Sequence, residues 1–482
     1  MPRNFYIRTY GCQMNALDSQ KVAALLCGAG YGASDELEDA DLLIVNTCSI
    51  RDKAEQNLYS DLGRLRAWKE RRPGRVIGVA GCVAQQEGDA ILRRFAAVDF
   101  VYGTHNLRLV PALVASAEQG VRTARIAETH DLGRFDVPQL HPDLPHATPG
   151  RAFVTVMEGC DMFCTFCVVP HTRGREISRP AAAIEAEVRE LAAAGVREVT
   201  LLGQTVNAYG RHDLRRGRAA AIGTESFAAL LARLARVPGI ERIRYTSPHP
   251  AFFDDDLVRA HGELGSLCPH VHLPAQSGSD TVLERMHRPY TAADYRALCD
   301  RLRAARPDVA LTTDLIVGFP GETDADFRAT LDLVCDVAFV DAYTFKYSPR
   351  PNTRAAEFAN AVPPEVARAR LEELQEILRS LTLAAHRARV GGETEVLVEG
   401  ASRRGGQASG RDPYHRVVNL AAELEAGDLV RVRVVEATPH SLIAESIGIP
   451  VKMRISPADE GPGGPCPGDG FSRSTTSAIS AS

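Results

Sequence analysis

Lysine is scarce in these 482 residues, standing only at positions 21, 53, 69, 346 and 452. The other basic residues are arginine, and the net charge is −5. That balance gives no bulk attraction for nucleic acid and leaves a local arginine patch as the route to phosphate. Long apolar runs are missing too; none approaches the roughly eighteen residues that span a bilayer. The opening segment, MPRNFYIRTYG, lacks the apolar core of a secretory signal, so no membrane segment and a cytoplasmic location are expected. Cysteine is present at eleven positions, too few and too scattered for a disulfide scaffold. In a reducing compartment those thiols serve as core residues, metal ligands or catalytic groups.

Residues 1–130 alternate strand and helix. FYIRTYG (5–11), DLLIVNT (41–47) and RVIGVAG (75–81) are short apolar or β-branched runs with helical stretches between them. This pattern predicts a doubly wound parallel sheet, an α/β fold. Residues 131–150 are rich in Pro, Asp and His and read as a linker. From 151 to 362 six further strand–helix units predict a partial (β/α)6 barrel, with reactive groups at the C-terminal strand ends. RHDLRRGR (211–218) reads as a surface loop within it. Residues 363–390 predict one connecting helix. Residues 391–447 predict a small β-barrel. The Gly/Pro/Ser-rich segment 448–482, with Cys466, predicts a disordered tail.

EGCDMFCTFCVVPHTRG (158–174) places Cys160, Cys164 and Cys167 in the spacing C-x3-C-x2-C, just after the first barrel strand. Three thiolates this close are soft ligands for iron–sulfur or zinc. Structural zinc asks for a fourth protein ligand, which His171 or a distant cysteine would have to supply. A cubane cluster on three cysteines instead leaves one iron open to a chelating substrate. Phe163 and Phe166, interleaved with the ligands, would then shield it from water.

The first domain repeats the theme at longer range. Cys12, Cys48 and Cys82 each follow a strand, at intervals of 36 and 34 residues, about one βαβ repeat. In a parallel sheet the loops past the C-terminal strand ends gather on one edge. Three cysteines at equivalent positions therefore predict a second three-thiolate site. Cys27, Cys299 and Cys335 fall in predicted helices and Cys268 in a loop, and these four read as structural.

The strings YGCQMN, NTCSIRDKAEQ, GCVAQQEG, MEGCDMFCTFCVVPHTRGRE, LGQTVNAYG, HLPAQSGSD, IVGFPGET and YSPRPNT resemble the methylthiotransferase branch of the radical S-adenosylmethionine enzymes over nearly the whole chain. The resemblance implies an N-terminal methylthiotransferase domain, a radical barrel and a C-terminal TRAM domain, a small RNA-binding barrel. Gln13-Met14 after Cys12 stand where the sibling acting on a ribosomal protein carries proline–lysine, which favours a tRNA substrate. RYTSPHP (244–250) departs from the family pattern at Pro248. Implied cofactors are two [4Fe-4S] clusters, on Cys12, Cys48 and Cys82 and on Cys160, Cys164 and Cys167, together with S-adenosylmethionine. The implied reaction replaces the C2 hydrogen of isopentenyl-adenosine, next to the anticodon, by a methylthio group through a 5′-deoxyadenosyl radical. An aromatic C2–H is too inert for acid–base chemistry, and the cofactors carry the hard step. Other readings are a sibling acting on a ribosomal protein or on threonylcarbamoyl-adenosine, and a zinc-dependent RNA-binding protein. A flavodoxin- or ferredoxin-type reductant and a monomeric state are expected.

Further contacts are expected at strand ends. Gly203 and Gln204 would meet the methionine amino group. Gln276 and Ser277 would face the sulfonium or ribose, and Val317 and Gly318 would make backbone contact with adenine. Arg173 and Arg175 would bind a cofactor carboxylate or RNA phosphate. In the C-terminal barrel, Arg403, Arg404, Arg411 and Arg416 beside Tyr414 and His415 are expected to contact RNA, since arginine with aromatics reads phosphate and stacks on bases.

Overall fold

The computed structural model describes residues 3–49, 52–140, 144, 149–402 and 406–447. The expected disordered tail, Cys466, Arg403 and Arg404 lie outside these residues. Among the described residues, no helix is long and apolar enough to cross a membrane.

The N-terminal unit is a six-stranded, wholly parallel sheet. Its strands are β1 (Asn4–Tyr10), β2 (Gly32–Ala33), β3 (Leu42–Thr47), β4 (Val76–Gly81), β5 (Phe100–Tyr102) and β6 (Thr123–Arg125). Their spatial order is β2-β1-β3-β4-β5-β6. Strands β3 and β4 are buried at every position, as apolar runs covered on both faces must be. Helices α1 (Gln13–Gly28) and α5 (Val110–Glu118) cover one face through Val22, Leu26, Val110 and Val114. Helices α2 (Asp52–Glu70), α3 (Cys82–Glu87) and α4 (Asp89–Arg94) cover the other through Leu58, Leu62, Trp68, Val83 and Ile91. The sheet is doubly wound.

The central unit has two three-stranded parallel halves, consecutive in sequence. One is β7 (Arg151–Thr155), β10 (Glu198–Leu202) and β11 (Arg242–Tyr245); the other is β12 (His270–His272), β13 (Ala310–Val317) and β14 (Asp341–Lys346). A short antiparallel pair, β8 (Met157–Glu158) with β9 (Ile177–Ser178), closes the base of the loop that carries Cys160, Cys164 and Cys167. The core between strands and helices is continuous, from Val154 through Leu201 and Leu315 to Leu378 of the helix Pro364–Arg387. RHDLRRGR is not an open loop: residues Arg211–Arg215 form a short helix.

The segment expected to be a linker is anchored where it is described. Leu132–Phe135 is a 3-10 turn capped by Asp131, and Arg134 and Phe135 are buried against the barrel. Charge explains this: Arg134 Nη2 donates to Glu158 at 2.6 Å.

The C-terminal unit is a closed five-stranded barrel of β15 (Glu393–Ala401), β16 (Ala408–Arg411), β17 (Val417–Leu420), β18 (Leu429–Ala437) and β19 (Leu442–Ser446). It sits against the N-terminal ends of the central strands. Arg244 donates to the Asp412 and Pro413 carbonyls at 2.8 and 2.9 Å, and Arg242 to the Glu395 carbonyl at 2.9 Å. Tyr414 Oη donates to Asp308 at 2.8 Å, and the His270 and His415 rings stack at 5.3 Å. Of the residues expected to contact RNA, Arg411, Tyr414 and Arg416 lie among the described residues, and each has a partner within the protein. Arg411 is bound to Glu399 and the His415 carbonyl and Arg416 lies 3.8 Å from buried Asp412, all within the C-terminal barrel, whereas Tyr414 reaches Asp308 of the central unit.

Candidate active site

Strands β1, β3 and β4 are neighbours, and their register aligns Tyr10, Thr47 and Gly81 at one level. Cys12, Cys48 and Cys82 follow that level by two, one and one residues, so their thiols meet on one edge. The Cys48 thiol lies within hydrogen-bonding reach of both others, and that sharing draws the Cys12 thiol down to about 5 and the Cys82 thiol down to about 7. The same contacts, with burial, push Cys48 up. Two glycines allow the close approach. At Gly11 (φ +133°) a Cβ would lie 2.4 Å from Cys48 Cβ, and at Gly81 (φ +91°) one would lie 2.3 Å from the Thr47 carbonyl oxygen.

Buried charge surrounds this site. Arg173, 2% exposed, donates through Nη2 to Asp18 at 2.7 Å and to Asn15 at 3.2 Å, and Nη1 lies 3.6 Å from Glu158. Its Nη1 is buried without a hydrogen-bond partner, and the Cys82 and Cys12 thiols lie in its field. Arg173 is therefore buried beside the first three-cysteine site. Burial pushes the Asp18 carboxyl up to about 6 despite Arg173. Arg173→Leu would leave Asp18 and Glu158 buried without their shared cation, with an expected loss of about 3–5 kcal/mol in urea unfolding.

The second site is carried by the loop that leaves β8. Cys160 and Cys164 are buried and Cys167 is half-buried. Gln204 Oε1 accepts from the Gly159 N–H at 2.5 Å and fixes the loop entrance. Thr205 Oγ1 lies 3.1 Å from Cys160 Sγ, and Arg288 Nη1 donates to Cys164 Sγ at 3.6 Å. Donors aimed at sulfur suit a thiolate-ligated cluster. Phe166 packs beside Ile316, Met286 and Phe319, as a water shield should, whereas Phe163 stays 42% exposed beneath Arg175. Arg175 is held by Asp161 at 2.6 Å, and His171 is exposed. Among the described residues, no three His, Cys, Asp or Glu side chains close around one point as ligands of a single ion would. A cubane differs, because its three thiolates bind three separate irons.

The two sites lie at the same end of the barrel, where β10 runs out: Cys12 packs against the cluster of Leu202, and Cys160 meets Thr205. Helix α1 places Met14 and Leu17 on Leu202 at the top of β10, with Cys12 and Phe153 of β7 at the rim of that contact. Thr104 Oγ1 donates to the Thr172 carbonyl at 2.7 Å, and His105 Nε2 lies 2.9 Å from the Arg173 carbonyl.

The strand-end residues divide. Gly203 sits where a Cβ would meet Met157 Cγ at 2.6 Å, a packing reason for glycine. The Ser277 hydroxyl is buried 3.2 Å from Thr330 Oγ1. The Gly318 N–H donates to Glu322 at 2.7 Å, and the Val317 carbonyl accepts from the Tyr347 N–H at 2.8 Å. Gln276 stands above β12 at φ +70°, a strained conformation for a side-chain-bearing residue. Sequence reasoning missed Asp18, Glu158, Thr205 and Arg288. Thr205 adjoins Gly203-Gln204 and was within reach of that motif; the others act across the fold.

Three family models match: Uncharacterized protein family UPF0004 over residues 4–103, the Radical SAM superfamily over 154–334 and the TRAM domain over 387–447. The chain is 47% identical over 441 residues to the tRNA-2-methylthio-N(6)-dimethylallyladenosine synthase of Geotalea uraniireducens, covering 91% of this chain and 98% of the relative. It is 48% identical to the synthase of the same name from Geobacter metallireducens, covering 91% and 97%. Among solved structures it is similar in fold to the radical S-adenosylmethionine methyltransferase TsrM of Kitasatospora setae, with TM-score 0.53, 14% identity and 74% of each chain covered.

Proposed function

The chain belongs to the radical S-adenosylmethionine methylthiotransferases, the family of the tRNA-2-methylthio-N(6)-dimethylallyladenosine synthases, and from that membership we propose that it places a methylthio group on C2 of N6-isopentenyl-adenosine beside the anticodon of tRNA. The supporting observation is that the first three-cysteine site docks at the end of the barrel that carries the second. When bound, two [4Fe-4S] clusters and S-adenosylmethionine supply the radical and the sulfur that an inert aromatic C–H requires.

The chain's own residues hold, orient and exclude. Cys160, Cys164 and Cys167 would ligate the cluster whose remaining iron meets S-adenosylmethionine, with Thr205 and Arg288 bonded to its thiolates. Cys12, Cys48 and Cys82 would ligate the auxiliary cluster, whose negative charge the buried Arg173 offsets. Gln204 keeps the loop of the second site seated through Gly159, and Gly203, Gln204, Gln276, Ser277, Val317 and Gly318 are the strand-end residues proposed for cofactor contact. Met14, Leu17 and Leu202 keep water from the space between the sites. A flavodoxin- or ferredoxin-type reductant, a monomer and a cytoplasmic location complete the proposal.

Mass spectrometry of tRNA nucleosides from a strain lacking the gene tests it. The expected result is loss of 2-methylthio-isopentenyladenosine with accumulation of isopentenyladenosine. Unchanged levels of the methylthiolated nucleoside would overturn the proposal.

A further inference from the structure

The lumen of the half-barrel is not filled as a closed barrel's is. Branched apolar side chains would occupy it in a full eight-stranded barrel. Here its floor is charged: buried Glu198 lies 3.1 Å from Arg151 and from Arg244 and 3.8 Å from Arg242. Above the floor, His272 lies 3.3 Å from Asp314 and 3.0 Å from Thr312 Oγ1.

Register shows which residues of β14 look inward. Parallel pairing sets Asp341, Tyr343 and Phe345 opposite Thr312, Asp314 and Ile316 of β13. Paired residues share a face of the sheet. Ala342 and Thr344 point the other way, to the helix Pro364–Arg387, where Gln375 Nε2 donates to Thr344 Oγ1 at 3.1 Å. Tyr343 and Phe345 thus face the lumen, and Tyr343 meets His272 edge-on at 5.9 Å. They remain 45% and 44% exposed, two large rings in a concave space. Among the described residues, β14 pairs only with β13 and forms the open edge of its sheet.

We propose that Tyr343 and Phe345 are the wall on which the target adenine lies, with Phe345 reading its N6 prenyl group. This rests on the substrate proposed above. Phe345 is level with Ile316, and Ile316 and Phe166 of the second cysteine loop pack against one apolar cluster. Across the lumen, Phe153 of β7 and Cys12 of the first site pack against one apolar cluster. A base lying on β14 is therefore bracketed by both sites. The wall has the matching chemistry: a ring face for a purine, an apolar phenyl for a branched five-carbon chain, and the His272–Asp314 pair for the polar edge of the base. Stacking on an aromatic ring holds any base, whereas an apolar contact with the prenyl group separates modified from unmodified adenosine.

The test is the affinity of the full-length protein for two anticodon stem-loop RNAs, one with isopentenyl-adenosine and one with adenosine. Wild type should favour the prenylated RNA. Phe345→Ala should weaken that RNA by about tenfold and the unmodified RNA little, so the ratio collapses, and Phe345→Leu should restore most of it. Tyr343→Ala should weaken both RNAs together. A Phe345→Ala protein that keeps the wild-type ratio, a Phe345→Leu protein that loses it as fully as Phe345→Ala, or a Phe345→Ala protein that loses both RNAs equally overturns the wall. A wild type that methylthiolates the RNA yet shows unchanged preference in the variants sinks this inference alone. A wild type with neither preference nor product sinks the proposed function as well.

Discussion

Replacing Cys12 by alanine should halve the iron of the anaerobically reconstituted protein, from about eight to about four atoms per chain. Methylthio transfer should fall to background, while reductive formation of 5′-deoxyadenosine persists. The separation follows from the fold. Cys12 belongs to the edge of the N-terminal sheet, with Cys48 and Cys82 on adjacent strands. Cys160, Cys164 and Cys167 hang from β8 in the barrel. Nothing covalent joins the two sets, so loss of one leaves the other its three thiolates. Cys12 is also only partly buried, and its removal opens little space in the core. Iron and sulfide assays with product analysis on the same preparation decide the matter. A Cys12→Ala protein that kept its full iron would show that these three cysteines hold no cluster.

How far the sequence foretells the structure depends on whether each feature is local or assembled. The second cysteine site is local: eight residues carry all three thiols, and the spacing alone announces it. The first is assembled, yet it was still legible, because a doubly wound parallel sheet sends every C-terminal strand end to one edge. Only the adjacency of β1, β3 and β4 had to be learned from the structure. Buried charge was not legible. Arg173 looked like a surface arginine beside a motif, and its partners Asp18 and Glu158 lie 155 and 15 residues away in sequence. Arg134 sat in a segment of linker composition and is tied down by the same Glu158.

The docking of the C-terminal barrel was not legible for a related reason. A Gly-rich, arginine-bearing stretch has the composition of an RNA-binding loop, and nothing within 403–416 says that Asp308, His270 and Arg244 are waiting for it. The aromatic pair on β14 lay hidden differently. DAYTFK alternates as any strand does, and alternation cannot tell which face looks into a lumen until the neighbouring strand fixes the register.

The complementary replacement, Cys164→Ala, should also leave about four irons per chain, now at the first site, and should reduce 5′-deoxyadenosine formation to the limit of detection. Cys164 is the thiol to which Arg288 donates, and Arg288 is itself held by the Pro274 carbonyl at 3.0 Å and Tyr290 Oη at 2.8 Å. Losing the sulfur removes a ligand and leaves a buried guanidinium donor without its acceptor. Both effects oppose cluster assembly at this loop and leave the N-terminal sheet intact. The pair of variants forms a double dissociation: each keeps one iron site, and only Cys12→Ala keeps cofactor cleavage. If Cys164→Ala still produced 5′-deoxyadenosine, the open iron would have to be sought at the other cysteines. The two sites would then have exchanged the roles assigned to them here.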